Sequence, residues 1–197
     1  SFLDPLVLGA ASVESPKTRD VKLRVSKDAG LKLNITAENE DFTPFIFAAP
    51  SGNVYVNAGM GNDTITVEQS SMSAALVING KGGAVDRIVY EVQAGADPQE
   101  VSFGTGSTTI LTGATARTVT YSNVEQARNV VLKATDGDDQ INLSAEGTNY
   151  TFSSTNDAFA SVIVQGTIQS LTLDAGLGDD NVSTASLTSF APALILT

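Results

Sequence analysis

The sequence predicts an all-β fold, a parallel β-solenoid (β-helix) of about 20–25 residues per coil. Three observations predict it. Short runs alternating apolar and polar residues recur at a near-constant interval, the period-2 mark of a strand with one buried face. The turns that follow them resemble one another in chemistry. Helical stripes are missing: no window of a dozen residues carries a clean i, i+3, i+4, i+7 apolar pattern. An antiparallel β-sandwich is the alternative, since a hairpin meander also uses short strands and tight turns.

Taken along the chain, residues 1–30 read as an N-terminal capping or connecting segment and 31–197 as the solenoid repeat domain. Within 1–30, the apolar segment from Phe2 to Val13 is suited to covering one end of a solenoid, and Glu14 to Lys27 reads as a polar connection or irregular strand. The repeating strands then start at Leu31, Val54, Leu76, Val101, Val130, Tyr150, Leu171 and Leu194, separated by 23, 22, 25, 29, 20, 21 and 23 residues. A second strand often follows the turn, at Ile65, Ile88, Ile110 and Ile141. Val124 to Arg128 has room for one helical turn at most. Parallel strands joined at this interval leave little length for crossover helices.

Composition narrows the chemistry. The chain of 197 residues carries 11 Lys and Arg against 22 Asp and Glu, a net charge of −11, and contains no Cys, His or Trp. That excludes disulfides, thiolate and imidazole metal sites, Cys nucleophiles and His bases. An acidic surface argues against coating DNA or anionic lipid. The charge is uneven: residues 1–32 hold six basic and four acidic side chains, and 134–197 hold eight acidic and no basic ones. The acidic end points to cation binding or charge-directed contact. The first residue is Ser1, without Met, which reads as a mature or excised form. The run from Leu6 to Ala11 is too short to span a bilayer and lacks a basic flank, so neither a membrane span nor a retained signal peptide is expected.

The turns carry the most information. Asn57 to Asp63, Asn79 to Asp86, Lys133 to Asp139 and Asp174 to Asp180 are glycine-rich and end in aspartate, and a β-branched residue follows two positions later: Ile65, Ile88, Ile141 and Val182. Equivalent corners of a solenoid stack on one edge and meet similar constraints. Gly59-Met60-Gly61-Asn62-Asp63-Thr64-Ile65 and Gly176-Leu177-Gly178-Asp179-Asp180-Asn181-Val182 resemble the G-x-G-x-D-x-U core of the repeats-in-toxin (hemolysin-type) nonapeptide. Thr135 to Ile141 is similar, with Thr135 in place of the first glycine, and Gly80 to Ile88 fits with one inserted residue. The phrase from Tyr121 to Ile141 resembles repeats of large bacterial surface and secreted proteins. The resemblance implies calcium between adjacent turns. Here the motifs stand apart, with Asp63 to Asp86 at 23, Asp86 to Asp139 at 53 and Asp139 to Asp180 at 41, so it implies one acidic glycine turn per longer coil rather than a continuous β-roll.

The candidate metal ligands are therefore Asp63, Asp86, Asp138, Asp139, Asp157, Asp179 and Asp180, with calcium as the ion. Stacked coils would place successive aspartates about 4.8 Å apart, in a column passing a neutral coil near Thr108 and Thr109. Two such carboxylates repel by about 1 kcal/mol in water and several-fold more at lower dielectric. A divalent cation would remove that cost, with affinity in the roughly 0.1–1 mM range of extracellular modules. The competing assignment is that each Asp caps turn N–H groups. Five N-x-[ST] sequons, at Asn34, Asn62, Asn142, Asn149 and Asn181, are cheap in so Ser- and Thr-rich a chain. Gly80-Lys81-Gly82-Gly83 lacks the ending of a phosphate loop.

The function expected is non-enzymatic and structural: an extracellular, cell-surface module of a bacterial adhesin, fibre or surface layer, stiffened by calcium. The apolar end 193–197 implies self-association end to end or a neighbouring domain of a longer chain. The alternative is a carbohydrate-binding or polysaccharide-cleaving β-helix with surface polysaccharide as partner. Cleavage would need two carboxylates at a set separation, and Arg87, Arg117, Arg128 and Lys133 are the only basic residues beyond position 82.

Overall fold

The structure is a computed structural model that describes residues 11–14, 20–27, 32–38, 44–48, 50, 52–69, 75–156, 158–187 and 193–197. In chain order the strands are β1 (Ala11–Glu14), β2 (Lys22–Lys27), β3 (Leu33–Ala37), β4 (Phe45–Phe47), β5 (Val54–Asn57), β6 (Thr64–Glu68), β7 (Leu76–Asn79), β8 (Arg87–Gln93), β9 (Gln99–Phe103), β10 (Ser107–Thr112), β11 (Thr115–Ser122), β12 (Gln126–Lys133), β13 (Gln140–Glu146), β14 (Asn149–Ser154), β15 (Val162–Gln165), β16 (Ser170–Asp174), β17 (Asn181–Ser186) and β18 (Ala193–Leu196). The fold is all-β, and its two sheets are mixed, combining parallel and antiparallel pairs. No helix among the described residues is long and apolar enough to cross a membrane.

The chain divides into two compact units, each built from two segments: Ser1–Tyr90 with Arg117–Ala127, and Glu91–Ala116 with Arg128–Thr197. In the first unit β1, β5, β7 and β11 run parallel, in registers such as Val54↔Leu76 and Val119↔Leu76. Val54, Val56, Leu76, Ile78 and Val119 point inward and are fully buried, as their alternation with polar neighbours requires. β2 lies parallel to β6 and then turns back through β3 and β4 as an antiparallel meander. On β2, Arg24 bonds the carboxylates of Glu38 and Glu68.

In the second unit the parallel pairs are β12 with β16, β16 with β18, β9 with β15 and β13 with β17. Two antiparallel elements interrupt them, the hairpin β9–β10 and the meander β13–β14–β15. Tight turns with Gly106 and Gly147 at positive φ close the hairpins β9–β10 and β13–β14. The core here is Val101, Ile110, Leu132, Ile141, Leu143, Phe152, Val162, Val164, Leu171 and Leu173. Phe152 stacks on Phe159, with ring centroids 4.8 Å apart.

The all-β fold is as expected, while a uniform parallel solenoid is not shown: both sheets mix parallel and antiparallel pairs. Parallel pairing does run between strands 20–45 residues apart in sequence, as between β5 and β7 or β12 and β16. What the interval did not separate is a return strand that stays in its own sheet. β10 and β14 have the same period-2 pattern as the strands beside them. Their short glycine turns make them hairpin arms. Thr108 is therefore a buried residue of β10 and not part of a corner. Val124 to Arg128, allowed one helical turn, instead leads straight into β12.

Candidate functional site: the acidic corners

In the first unit, residues 58–63 carry the chain from β5 to β6, 80–86 from β7 to β8, and 123–125 from β11 to β12. The three corners stack. Gly61 donates its N–H to the Gly82 carbonyl at 2.8 Å, and Gly80 donates to Ser122 at 3.1 Å. Asn62 Oδ1 accepts from the N–H groups of Ala84 and Val85 at 2.8 and 2.9 Å. Asn123 Nδ2 donates to Asn79 Oδ1 at 3.0 Å.

Along this edge runs a ladder of carboxylates. Asp63 Oδ1 accepts the Val21 N–H at 2.8 Å, Asp86 Oδ1 accepts the Asp63 N–H at 2.8 Å, and Glu125 Oε2 accepts the Asp86 N–H at 2.7 Å. Asp20 Oδ1 accepts the Asn62 N–H at 2.7 Å. Each acid thus supplies an acceptor to the neighbouring corner, where the backbone bends out of the sheet and its N–H has no ladder carbonyl to meet. The carbonyls close the same rung: Thr64 donates to Val21, Arg87 to Asp63 and Gln126 to Asp86. Asp63 and Asp86 are each 1% exposed, while Asp20 and Glu125 at the two ends are exposed. Asp63 Oδ2 is buried with no hydrogen-bond partner among the described residues.

Burial sets the proton affinity of the two inner acids. Both carboxyls are held above the ordinary aspartate value of 3.8. Desolvation is the larger cause, opposed by the N–H bond from Val21 to Asp63 and from Asp63 to Asp86. Repulsion adds to it, from Asp86 and Asp20 on Asp63, and from Glu125 and Asp20 on Asp86.

In the second unit, residues 134–139 lead from β12 to β13 and 175–180 from β16 to β17. Asp180 Oδ1 accepts the Asp139 N–H at 2.9 Å, and Asp138 Oδ1 accepts the Asp179 N–H at 3.0 Å. Asp139 Oδ2 instead caps its own turn, accepting from Thr135 N–H at 2.9 Å and Thr135 Oγ1 at 2.8 Å. Its Oδ1 is buried without a partner among the described residues. Asp136, Asp138 and Asp179 are exposed. Asp157 lies outside the described residues. Beside it, Asn156 Nδ2 donates to the Asp138 carbonyl at 3.0 Å.

The two closest matches to the G-x-G-x-D pattern share a backbone. Gly59 and Gly61 sit at φ 107° and 136°, and Gly176 and Gly178 at 90° and 129°. An L side chain rarely adopts either value, so the paired glycines specify one corner conformation at two places. The structure therefore brings together Asp63 with Asp86, Asp138 with Asp179, and Asp139 with Asp180. Beyond Asp86 the ladder continues with Glu125, not with a neutral step near Thr108 and Thr109. Asp20 and Glu125 belong to the ladder and were missed, while Asn62, read from its sequon as a turn residue, does bridge its corner to the next. The signal for Glu125 was present: it stands two positions before buried Ala127, as Asp63 and Asp86 stand two before Ile65 and Ile88.

Calcium takes six to eight oxygen ligands. No group of three or more acidic side chains converges on a point that could hold a metal ion among the described residues. In the first unit the inner carboxylates are buried and engaged by amides, so the donor set does not fit calcium. In the second unit Asp138 and Asp179 are exposed and Asp180 is half-exposed, so these carboxylates are open to solvent although no three of them converge. No family model, curated protein or solved structure matches the chain.

Proposed function

We propose that the protein is a non-enzymatic, extracellular structural or adhesive module of a bacterial surface protein, fibre or surface layer. The observation that supports this reading best is the use of its acids. Asp86, Glu125 and Asp180 each accept a backbone N–H of the neighbouring corner, so the corner acids are engaged in joining one turn to the next. The chemistry of the corners serves stacking, which suits a load-bearing element.

Self-association, or packing against a neighbouring domain of a longer chain, is part of this reading, through β18, the outermost strand of its sheet among the described residues. Leu196 is in register with Leu173 and shares its face, yet Leu173 is 1% exposed and Leu196 55%. Ile195 on the opposite face is 48% exposed. No charged residue or lysine guard occurs from 181 to 197, where an edge strand that avoids pairing usually carries one. A second copy pairing along β18 would bury both leucine and backbone. Sedimentation velocity from about 5 to 500 µM tests this: a concentration-dependent dimer or longer oligomer is expected, reverted to monomer by Leu196→Lys. A monomer throughout removes self-association, and binding to a polysaccharide panel would favour the carbohydrate-binding alternative instead.

Calcium is proposed at the exposed corners of the second unit, where Asp138 and Asp179 stand on neighbouring turns; with no three acids converging among the described residues, other oxygens would complete the set. The partial ligand set implies weak binding, in the roughly millimolar range. Titration calorimetry with calcium, on the wild type and Asp138→Asn/Asp179→Asn, reads it directly.

A further inference from the structure

The poor fit of the first-unit corners to calcium has its own meaning. Four acids, Asp20, Asp63, Asp86 and Glu125, occupy one edge at neighbouring corners, joined by four carboxylate-to-amide bonds. The inner two are inaccessible to a hydrated cation, at 1% exposure each. Asp63 Oδ2 faces no donor among the described residues. An oxygen so placed gains from a proton, which is small enough to enter and turns it into a donor.

We infer that the Asp20–Asp63–Asp86–Glu125 ladder is a proton-linked clasp, tightened by mild acid and indifferent to calcium. Among the described residues, the charged groups around it are Asp20 ahead of β2, Asp86 and Lys81 in the 80–86 corner, and Glu125 ahead of β12. Lys22 begins β2 exposed, and Arg87 begins β8 half-buried with its Nε buried. The inner carboxyls feel mainly acids: Asp86 and Asp20 act on Asp63, and Glu125 and Asp20 on Asp86. Because their folded-state proton affinity is raised, the folded protein holds more protons than the unfolded chain. The stabilisation is complete below the unfolded value of 3.8 and is lost as pH rises through the raised folded value. Stability at these two positions therefore increases on acidification from neutrality.

The test is thermal unfolding by circular dichroism at pH 7.5 and about 4.0, with EDTA or with about 5 mM calcium, on the wild type, Asp63→Asn and Asp86→Asn. Asparagine keeps the Oδ1 acceptor and removes the charge. In EDTA the wild-type Tm should rise by a few degrees at the lower pH, and each variant should lose its own share of that rise. Any calcium-induced shift should be the same in wild type and variants, since calcium acts elsewhere if it acts. A wild-type Tm that is flat or lower at the lower pH, an acid gain retained in full by both variants, or a calcium shift abolished by them would overturn the inference. If the variants do not fold, carbon-detected NMR titration of the wild-type Asp63 and Asp86 carboxyls decides: midpoints above 3.8 support the clasp, and midpoints below it overturn it. The calcium and self-association proposals can fail without touching this one, because their probes read the second unit.

Discussion

Asp86 shows how little room a corner leaves. A Cβ placed on Gly80 would stand 2.0 Å from the Asn123 carbonyl oxygen and 2.3 Å from Asp86 Oδ2. Glycine is thus needed at 80 for clearance between neighbouring corners rather than for a left-handed backbone. At Gly176 both reasons act: φ is +90°, and a Cβ would meet the Thr135 carbonyl oxygen at 2.2 Å. Gly82, two positions from Gly80, is different: a Cβ there would have nothing within 4 Å, and its φ lies outside the left-handed region. Gly80→Ala and Gly176→Ala are therefore expected to destabilise by about 1–3 kcal/mol through overpacking, with Gly82→Ala near neutral. Urea unfolding of the three variants side by side checks the contrast, and equal effects would refute the clearance argument.

At the scale of elements, the meander β13–β14–β15 is one place where the chain pairs antiparallel, as it also does in β2–β3–β4 and β9–β10. Its strands pair in long, unbroken registers, Ile141↔Ser154 through Glu146↔Asn149 and Asn149↔Gln165 through Phe152↔Val162. Phe152 is fully buried and stacks on Phe159 in the segment joining β14 to β15. Phe152→Ala removes the ring and leaves a cavity, at a cost of about 3–5 kcal/mol. Hydrogen exchange should report the loss first in β13, β14 and β15. Protection lost uniformly over the second unit would mean that the meander is not a separate cooperative element. Nearby, Lys133 reaches Glu91 at 3.1 Å, a half-exposed pair that contributes at most about 1 kcal/mol.

For the whole molecule, the net charge of −11 sets a repulsive background that the acidic corners concentrate. Raising sodium chloride from about 10 to 150 mM shortens the screening length from about 30 to 8 Å, so Tm should rise at pH 7.5 in EDTA. A fall would show that ion pairs such as Arg24 with Glu38 and Glu68 outweigh the repulsion. Much of this architecture was legible in the chain itself. Strand positions at Val54, Leu76, Val101, Leu171 and Leu194 follow from period-2 alternation, because a pleated strand has no other way to bury one face. The likeness of the Gly59 and Gly176 corners was legible too, since positive φ selects glycine locally. β11 went unread because its Thr- and Ser-rich run holds few apolar residues, and β15, apolar at three of its four positions, because it falls off the repeat interval only 12 residues after Tyr150. Pairing partners were not legible: alternation tells a strand which face to bury but not whether its neighbour runs with it or against it. Only the tertiary structure decided that β10 and β14 turn back as hairpin arms, that Glu125 and Asp20 complete the ladder, and that the aspartates face backbone amides. Those outcomes depend on which corners meet in space, and residues some 40 positions apart in sequence, such as Asp139 and Asp180, settle them together.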